Sequence, residues 1–231
     1  MTTAAVAQLA PHSLSPHHLS PQHLSQHHPP QHHPTQHHPD RARAAGSLRA
    51  ELRLRTAAAH EALERTPLME QLARGAASMT VYRDYLQRQL RLHAAFEPPL
   101  RAWLDADCSA LRLGKSEWLR SDLQAAGETA DVRPVPAPAL RSQAAALGML
   151  YVLEGSTLGL QVVRRHLAPA HPAAGVAGRF LTGYGPQTGQ HWRDFVALLD
   201  ALPLAQWQDA IDAACATFVA FERVFSEPCH E

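Results

Sequence analysis

Thr56, His60 and Glu64 stand four residues apart in the run TAAAHEALE. At that spacing three side chains fall on one side of a helix, each a turn above the last. A metal-ligating imidazole commonly gives its second N–H to a carboxylate, which fixes the tautomer and raises the basicity of the ligating nitrogen. His60 followed by Glu64 has that form, with one ring nitrogen left for a metal ion. Arg53, two turns before His60, puts a cation on the same line, suited to an acidic group on a ligand. The plain alternative is a surface histidine beside a surface glutamate.

A second run, YVLEGSTLGLQVV at residues 151–163, carries Gly155 and Gly159 inside an apolar helical pattern. Each glycine costs about 1 kcal/mol relative to alanine in a helix interior. Two of them at i and i+4 leave a strip of bare backbone that another object can approach closely. That object is either a neighbouring helix or a flat ligand. Ser156 and Thr157 add hydroxyls that bend helices by bonding back to carbonyls. LEGSTLGLQ contains no His, Cys or Met, so this strip brings no strong metal ligand of its own.

Both runs need helices to carry them. Leu48, Leu52, Ala59 and Leu63 recur at helical spacing. Thr66 and Pro67 read as an N-cap and first position of a new helix. TVYRDYLQRQLRLHAAFEPPLRAWLD reads as a long amphipathic helix that bends or breaks at Pro98-Pro99. Residues 127–138 form a connecting loop, and Pro138 opens the long helix that holds the glycines and stops before Pro169. Two more helices follow a glycine-punctuated loop. No strand pattern occurs, so the expectation is an all-α bundle of seven or eight helices over residues 41–231. Residues 1–40 hold ten of the sixteen histidines in a Pro/Gln/His/Ser repeat without helical or strand period, expected to be a disordered low-complexity tail that binds metals incidentally.

Composition removes several classes. The 231 residues carry no net charge, and basic residues interleave with acidic ones, so nothing points to nucleic acid. Cys108, Cys215 and Cys229 are scattered and odd in number, without CxxC, which argues against a disulfide framework or zinc site and for a reducing cytoplasm. No apolar run approaches the ~20 residues needed to span a membrane, and no signal-peptide pattern opens the chain.

LRLRTAAAHEALERTPLMEQL and, later, LGMLYVLEGSTLGLQVV resemble the haem oxygenases, most closely the bacterial ones that accompany phytochromes. The likeness runs from about residue 45 to 226, and GYGPQTGQHWRDF and FVAFERVF look like the family's later segments. The resemblance implies a helical fold that holds haem between a proximal and a distal helix. It implies an enzyme that opens the ring with O2 and electrons to give biliverdin, carbon monoxide and ferrous iron. By position, His60 would be the iron ligand, Glu64 its orienting carboxylate and Arg53 a propionate partner, with Thr56 on the same face. Gly155, Ser156 and Gly159 would form the distal strip over the haem. Arg193, Arg164 and Arg165 are further propionate candidates, and Phe221 or Phe225 candidates for the pocket wall. Haem is then substrate and cofactor at once, the electron donor a ferredoxin or flavoprotein reductase, and the bilin acceptor a bacteriophytochrome. Two positions depart from the family: Leu160 stands where many members carry a second glycine, and Ser156 where some carry an aspartate that organises water.

Other residues read as ordinary. His93 lies among Leu90, Leu92 and Phe96 as a packed or surface histidine, His166 and His171 flank a loop, and Trp103, Trp118, Trp192 and Phe218 belong to the core. Cys215 reads as a small buried apolar residue. The competing functions are a haem-binding or haem-trafficking protein without turnover, a thiaminase-like enzyme, for which no cysteine has the right surroundings, and an interaction bundle without ligand.

Overall fold

A computed structural model of the chain describes residues 46–74, 78–131, 133–167 and 178–228. The expectations for residues 1–40 and His171, and for the side chains of Arg165 and His166, lie outside the described residues. Nine described helices follow one another: α1 Leu48–Glu64, α2 Pro67–Ala73, α3 Met79–Arg101, α4 Ala106–Arg112, α5 Lys115–Ala125, α6 Gln143–Leu167, α7 Arg179–Thr182, α8 Thr188–Asp200 and α9 Trp207–Phe225. The described residues contain no strand, and the all-α expectation holds.

Four of the nine starts follow from short polar side chains. Ser47 caps α1 through Ala50 N–H, Ser78 caps α3 through Val81 N–H, and Asp105 caps α4 through Cys108 N–H. Thr66 does precede Pro67 at the start of α2, but its hydroxyl turns back to donate to Leu63 O at 2.7 Å and caps nothing.

Two expectations about helix ends need correction. α3 runs unbroken through Pro98 and Pro99 to Arg101. Both prolines fall in its last turn, so only the final bonds of the ladder are lost before the helix stops. The long glycine-bearing helix starts at Gln143, not Pro138. Ser142 takes the cap, accepting from Ala145 N–H at 3.1 Å while donating to Asp209 at 2.7 Å, so its position is set from α9 as well as locally.

α9 is the spine. Phe218, Phe221 and Phe225 are buried on it, and both α1 and α6 pack along it while hardly touching each other. Leu48 and Leu52 seat α1 with no exposed surface, each burial stabilising by roughly 1.5–3 kcal/mol. α6 crosses α9 at Gly148, where an added Cβ would drive into the main chain of Ala210. The far end of α9 is held by α3. Arg88 donates to the carbonyls of Val224, Glu227 and Pro228 and pairs with Asp84, while Arg91 makes a bidentate pair with Glu227 at 2.6 and 2.9 Å. A spine fixed at both ends sets where α1 and α6 stand.

Candidate functional site

On α1 the row read from the sequence is present. Thr56 is buried and donates to Leu52 O at 2.7 Å. One turn on, His60 presents an imidazole that is 52% exposed, with Nδ1 3.6 Å from Glu64 Oε1. That spacing is an ion-pair distance just beyond a hydrogen bond. The ring also meets Phe218 of α9 in a T-shaped contact, 5.8 Å between centroids. The imidazole is thus located by a carboxylate on its own helix and an aromatic wall on the spine. Arg53 lies exposed on the same side of α1.

On α6 the matching row is Tyr151, Gly155 and Gly159, again at i, i+4 and i+8. Tyr151 is half-buried; burial pushes its phenol up, with the Thr56 hydroxyl, Arg49 and Arg53 pulling the other way. The two rows therefore meet at Thr56 and Tyr151, and each continues from there: one to an imidazole, the other to bare backbone. Among the described residues, a Cβ added at Gly155 would find only the Trp192 ring, at an ordinary 3.9 Å, and one at Gly159 would find nothing within 4 Å. Packing against protein therefore does not require glycine at either place. The neighbouring-helix explanation belongs to Gly148 instead.

Leu160 is buried in the main core, about 100° around α6 from Gly159, so its bulk leaves the strip clear. Ser156 and Thr157 both donate to Leu153 O, at 2.8 and 3.1 Å, and in doing so turn away from the strip.

Behind the strip, on the opposite side of α6, lies a buried ionic cluster. The Glu154 carboxylate accepts from Lys115 Nζ at 2.9 Å, Arg112 Nη1 at 3.2 Å and Tyr184 Oη at 2.8 Å, and Lys115 also donates to Thr157 Oγ1 at 2.9 Å. Burial, with Glu154 beside it, pushes the Tyr184 phenol far up. His93 adjoins this cluster from α3. It is 1% exposed and edge-on to Phe180, with neither ring nitrogen hydrogen-bonded. Its Nδ1 stands 3.5 Å from Glu97 Oε1, off line for a bond. Burial lowers its pKa, so the ring is neutral near pH 7. Burial alone would raise Glu97, while the Ser116 N–H and O–H donors, at 2.9 and 2.7 Å, favour its charged form.

The remaining sequence candidates stand apart from the two rows. Arg193 is exposed on α8 and donates to Gln190 Oε1 at 2.6 Å. Arg164 is half-buried and lies about 140° around α6 from Gly159. Phe221 is enclosed by Phe96 and Phe225, with centroids 6.1 and 6.0 Å away; Phe218 is the phenylalanine beside His60. The sequence reading passed over Tyr151 and Glu154, and placed Trp192 in the core rather than beside Gly155. Tyr151 was accessible to it, being four residues before Gly155. So was Glu154, since a single carboxylate in an apolar helix requires buried partners. Trp192 depends on a tertiary contact that no spacing encodes.

Comparisons with known proteins agree with one another. A family model described as "Heme oxygenase" matches residues 46–227. A curated "Heme oxygenase" of Xanthomonas campestris pv. campestris (strain 8004) is 35% identical over 164 residues, covering 67% of this chain and 94% of that protein. Among solved structures, the NO- and CO-bound heme oxygenase of Neisseria meningitidis superposes with a TM-score of 0.63 at 23% identity, covering 79% of this chain and 92% of that one. The heme oxygenase of Leptospira interrogans gives 0.62 at 19%, covering 79% and 100%. Heme oxygenase-1 of the cyanobacterium Synechocystis sp. PCC6803 in complex with heme gives 0.61 at 14%, covering 79% and 92%. At these identities the superpositions speak for the fold.

Proposed function

The chain belongs to the haem oxygenase family and is an enzyme that degrades haem; from that premise we propose that it holds haem between the α1 row and the α6 row and cleaves it with O2 and reducing equivalents. The observation that carries the assignment of the site is the strip at Gly155 and Gly159, where an added side chain would meet almost no atom of the described residues. A helix that accepts two costly glycines with no packing demand for them has backbone reserved for something flat.

The residues present fit haem. The strip leaves backbone bare at Gly155 and Gly159, and His60 is half-exposed with Nδ1 toward Glu64. Bound haem supplies the iron that activates O2 and the ring edge that is oxidised. The chain supplies the rest. Glu64 draws the proton of His60 to Nδ1 and leaves Nε2 to bind iron. Phe218 stops the imidazole from rotating. Gly155 and Gly159 let the backbone come close on the other side while excluding any competing ligand. Arg53, with Arg49 and Tyr151 nearby, forms a polar end suited to propionates, which fixes how the ring is turned and hence where it is cut. Arg193 and Arg164 would need to reorient to share that work. Biliverdin and iron are the family's products. The donor is a reductase of the ferredoxin or flavoprotein kind, the setting is the cytoplasm, and the biliverdin serves as chromophore for a bacteriophytochrome. Among the described residues no helix is long and apolar enough to cross a membrane.

Haem titration followed by a reductant under air tests the reading. The unaltered protein should give a histidine-ligated Soret band that decays as biliverdin absorption grows. His60→Ala should lose the band and the turnover, both partly restored by imidazole. Full turnover by His60→Ala would remove the ligand assignment. Offering the product to an apo-bacteriophytochrome tests the chromophore role, with a new far-red band as the expected outcome.

A further inference from the structure

We propose that Glu154 is a positioning residue for the glycine strip: it pins the back of α6 and neutralises the buried cations there, so that the strip faces its ligand across a balanced field. The proposal rests on the reading that this strip covers haem. Glu154 immediately precedes Gly155, and three donors from three separate segments converge on its carboxylate, with Lys115 also reaching Thr157 one turn further along. Arg112, Lys115 and Glu154 are all about 2–3% exposed at the side chain. A helix weakened by two glycines and by two hydroxyls bonded to one carbonyl is thus held from behind where it is weakest.

The charge count explains why the anchor is ionic. Two cations, Arg112 and Lys115, pair with Glu154, and a second carboxylate, Glu97, stands nearby, held by Ser116 next to Lys115 and within reach of the same His93. From α3, His93 is kept neutral by burial. From α4, the Cys108 thiol is pushed up by burial and stays protonated. Tyr184 stays a phenol, and its ring lies against that of His191, 4.5 Å between centroids. Arg179 lies over Trp118, its guanidinium donating to Gly183 O at 2.8 Å, and the nearby Asp122 carboxylate, which accepts from the Arg179 backbone N–H at 2.9 Å, feels its charge. Losing Glu154 leaves one uncompensated positive charge behind the strip, and losing Lys115 leaves one negative charge. Across the width of one helix, ~10 Å at an effective dielectric of ~20, one charge shifts an ionisation by about one pH unit and an anion's affinity about tenfold.

The test uses the full-length ferric haem complex and two readouts: the pH of the acid–alkaline transition of the iron-bound water, and azide affinity. Glu154→Gln should lower the transition by about one pH unit and tighten azide about tenfold. Lys115→Met should raise the transition and weaken azide by similar factors, and the double variant should return toward the unaltered protein. Should Glu154→Gln fail to fold, Lys115→Met and the double variant carry the same signs. A merely loosened helix would move all variants in one direction, and an inert cluster would move none; either result overturns the proposal. If the unaltered chain takes up no haem at all, the functional reading falls and this proposal with it.

Discussion

The two halves of α6 use glycine for opposite reasons. At Gly148 the missing side chain lets α6 press onto α9, backbone against backbone at Ala210. At Gly155 and Gly159 the missing side chains face almost nothing among the described residues. The first half is held by close packing, and Ala144, Ala146, Met149 and Leu150 around it are buried. The second half is held by charge, through Glu154 with Arg112 and Lys115. Sequence cannot tell these glycines apart, since all three lie in one apolar helix with the same local cost. A glycine becomes interpretable only once the object opposite it is known.

The largest effect that can break this contrast is expected at Gly148. Gly148→Ala places a methyl group into the Ala210 carbonyl, and main chain cannot swing aside as a side chain can. Overpacking of this kind costs about 3 kcal/mol, against a modest gain from helix propensity. Urea unfolding should show a midpoint well below that of the unaltered protein. An unchanged midpoint would mean that α6 and α9 can part, and that the spine does not set the position of the strip.

The sequence carried the parts of this site that repeat along one helix. Thr56, His60 and Glu64 on one element, and Gly155 and Gly159 on another, were readable because helical spacing alone puts them on one face. The all-α fold was readable for the same reason. What stayed hidden depends on elements meeting. Phe218 rather than Phe221 reaches His60 because of how α9 is rotated, and Lys115 finds Glu154 across a long loop. The start of α6 was misplaced because Ser142, not Pro138, has the partner in Asp209 that fixes the cap. His93, read as packed or exposed, is packed, but beside an ion cluster that the local sequence gives no sign of.

A smaller effect separates the halves by pH. An unfolded histidine takes a proton near pH 6.5, whereas burial keeps His93 from doing so in the folded protein. Below 6.5 the unfolded chain therefore binds more protons, and stability falls as pH falls, by up to about 1.4 kcal/mol per pH unit until the folded pKa is reached. His93→Gln should flatten that slope between pH 7 and 5. Because His93 adjoins the charged half of α6, amides of residues 154–163 should lose hydrogen-exchange protection at higher pH than those of 144–150. Equal loss along the helix would show that its two halves are one cooperative unit.

The smallest effect on stability is also the one that most sharply tests what the strip is for. Gly159→Ala adds a methyl group where no atom of the described residues lies within 4 Å, and alanine favours a helix over glycine by about 1 kcal/mol. Without ligand the variant should be slightly more stable than the unaltered protein, melting about 2–4 °C higher for a domain of this size. With haem the order should reverse: the same methyl group stands in the ligand's space, so haem should raise the melting point of the unaltered protein more than that of the variant, and turnover should drop. Gly159→Leu should widen both differences. Stabilisation without ligand together with loss of haem binding is a signature that a packing glycine cannot produce, because Gly148→Ala is expected to lose stability in both states. If Gly159→Ala lowers the melting point of the ligand-free protein, the strip is a helix-packing surface like the one at Gly148.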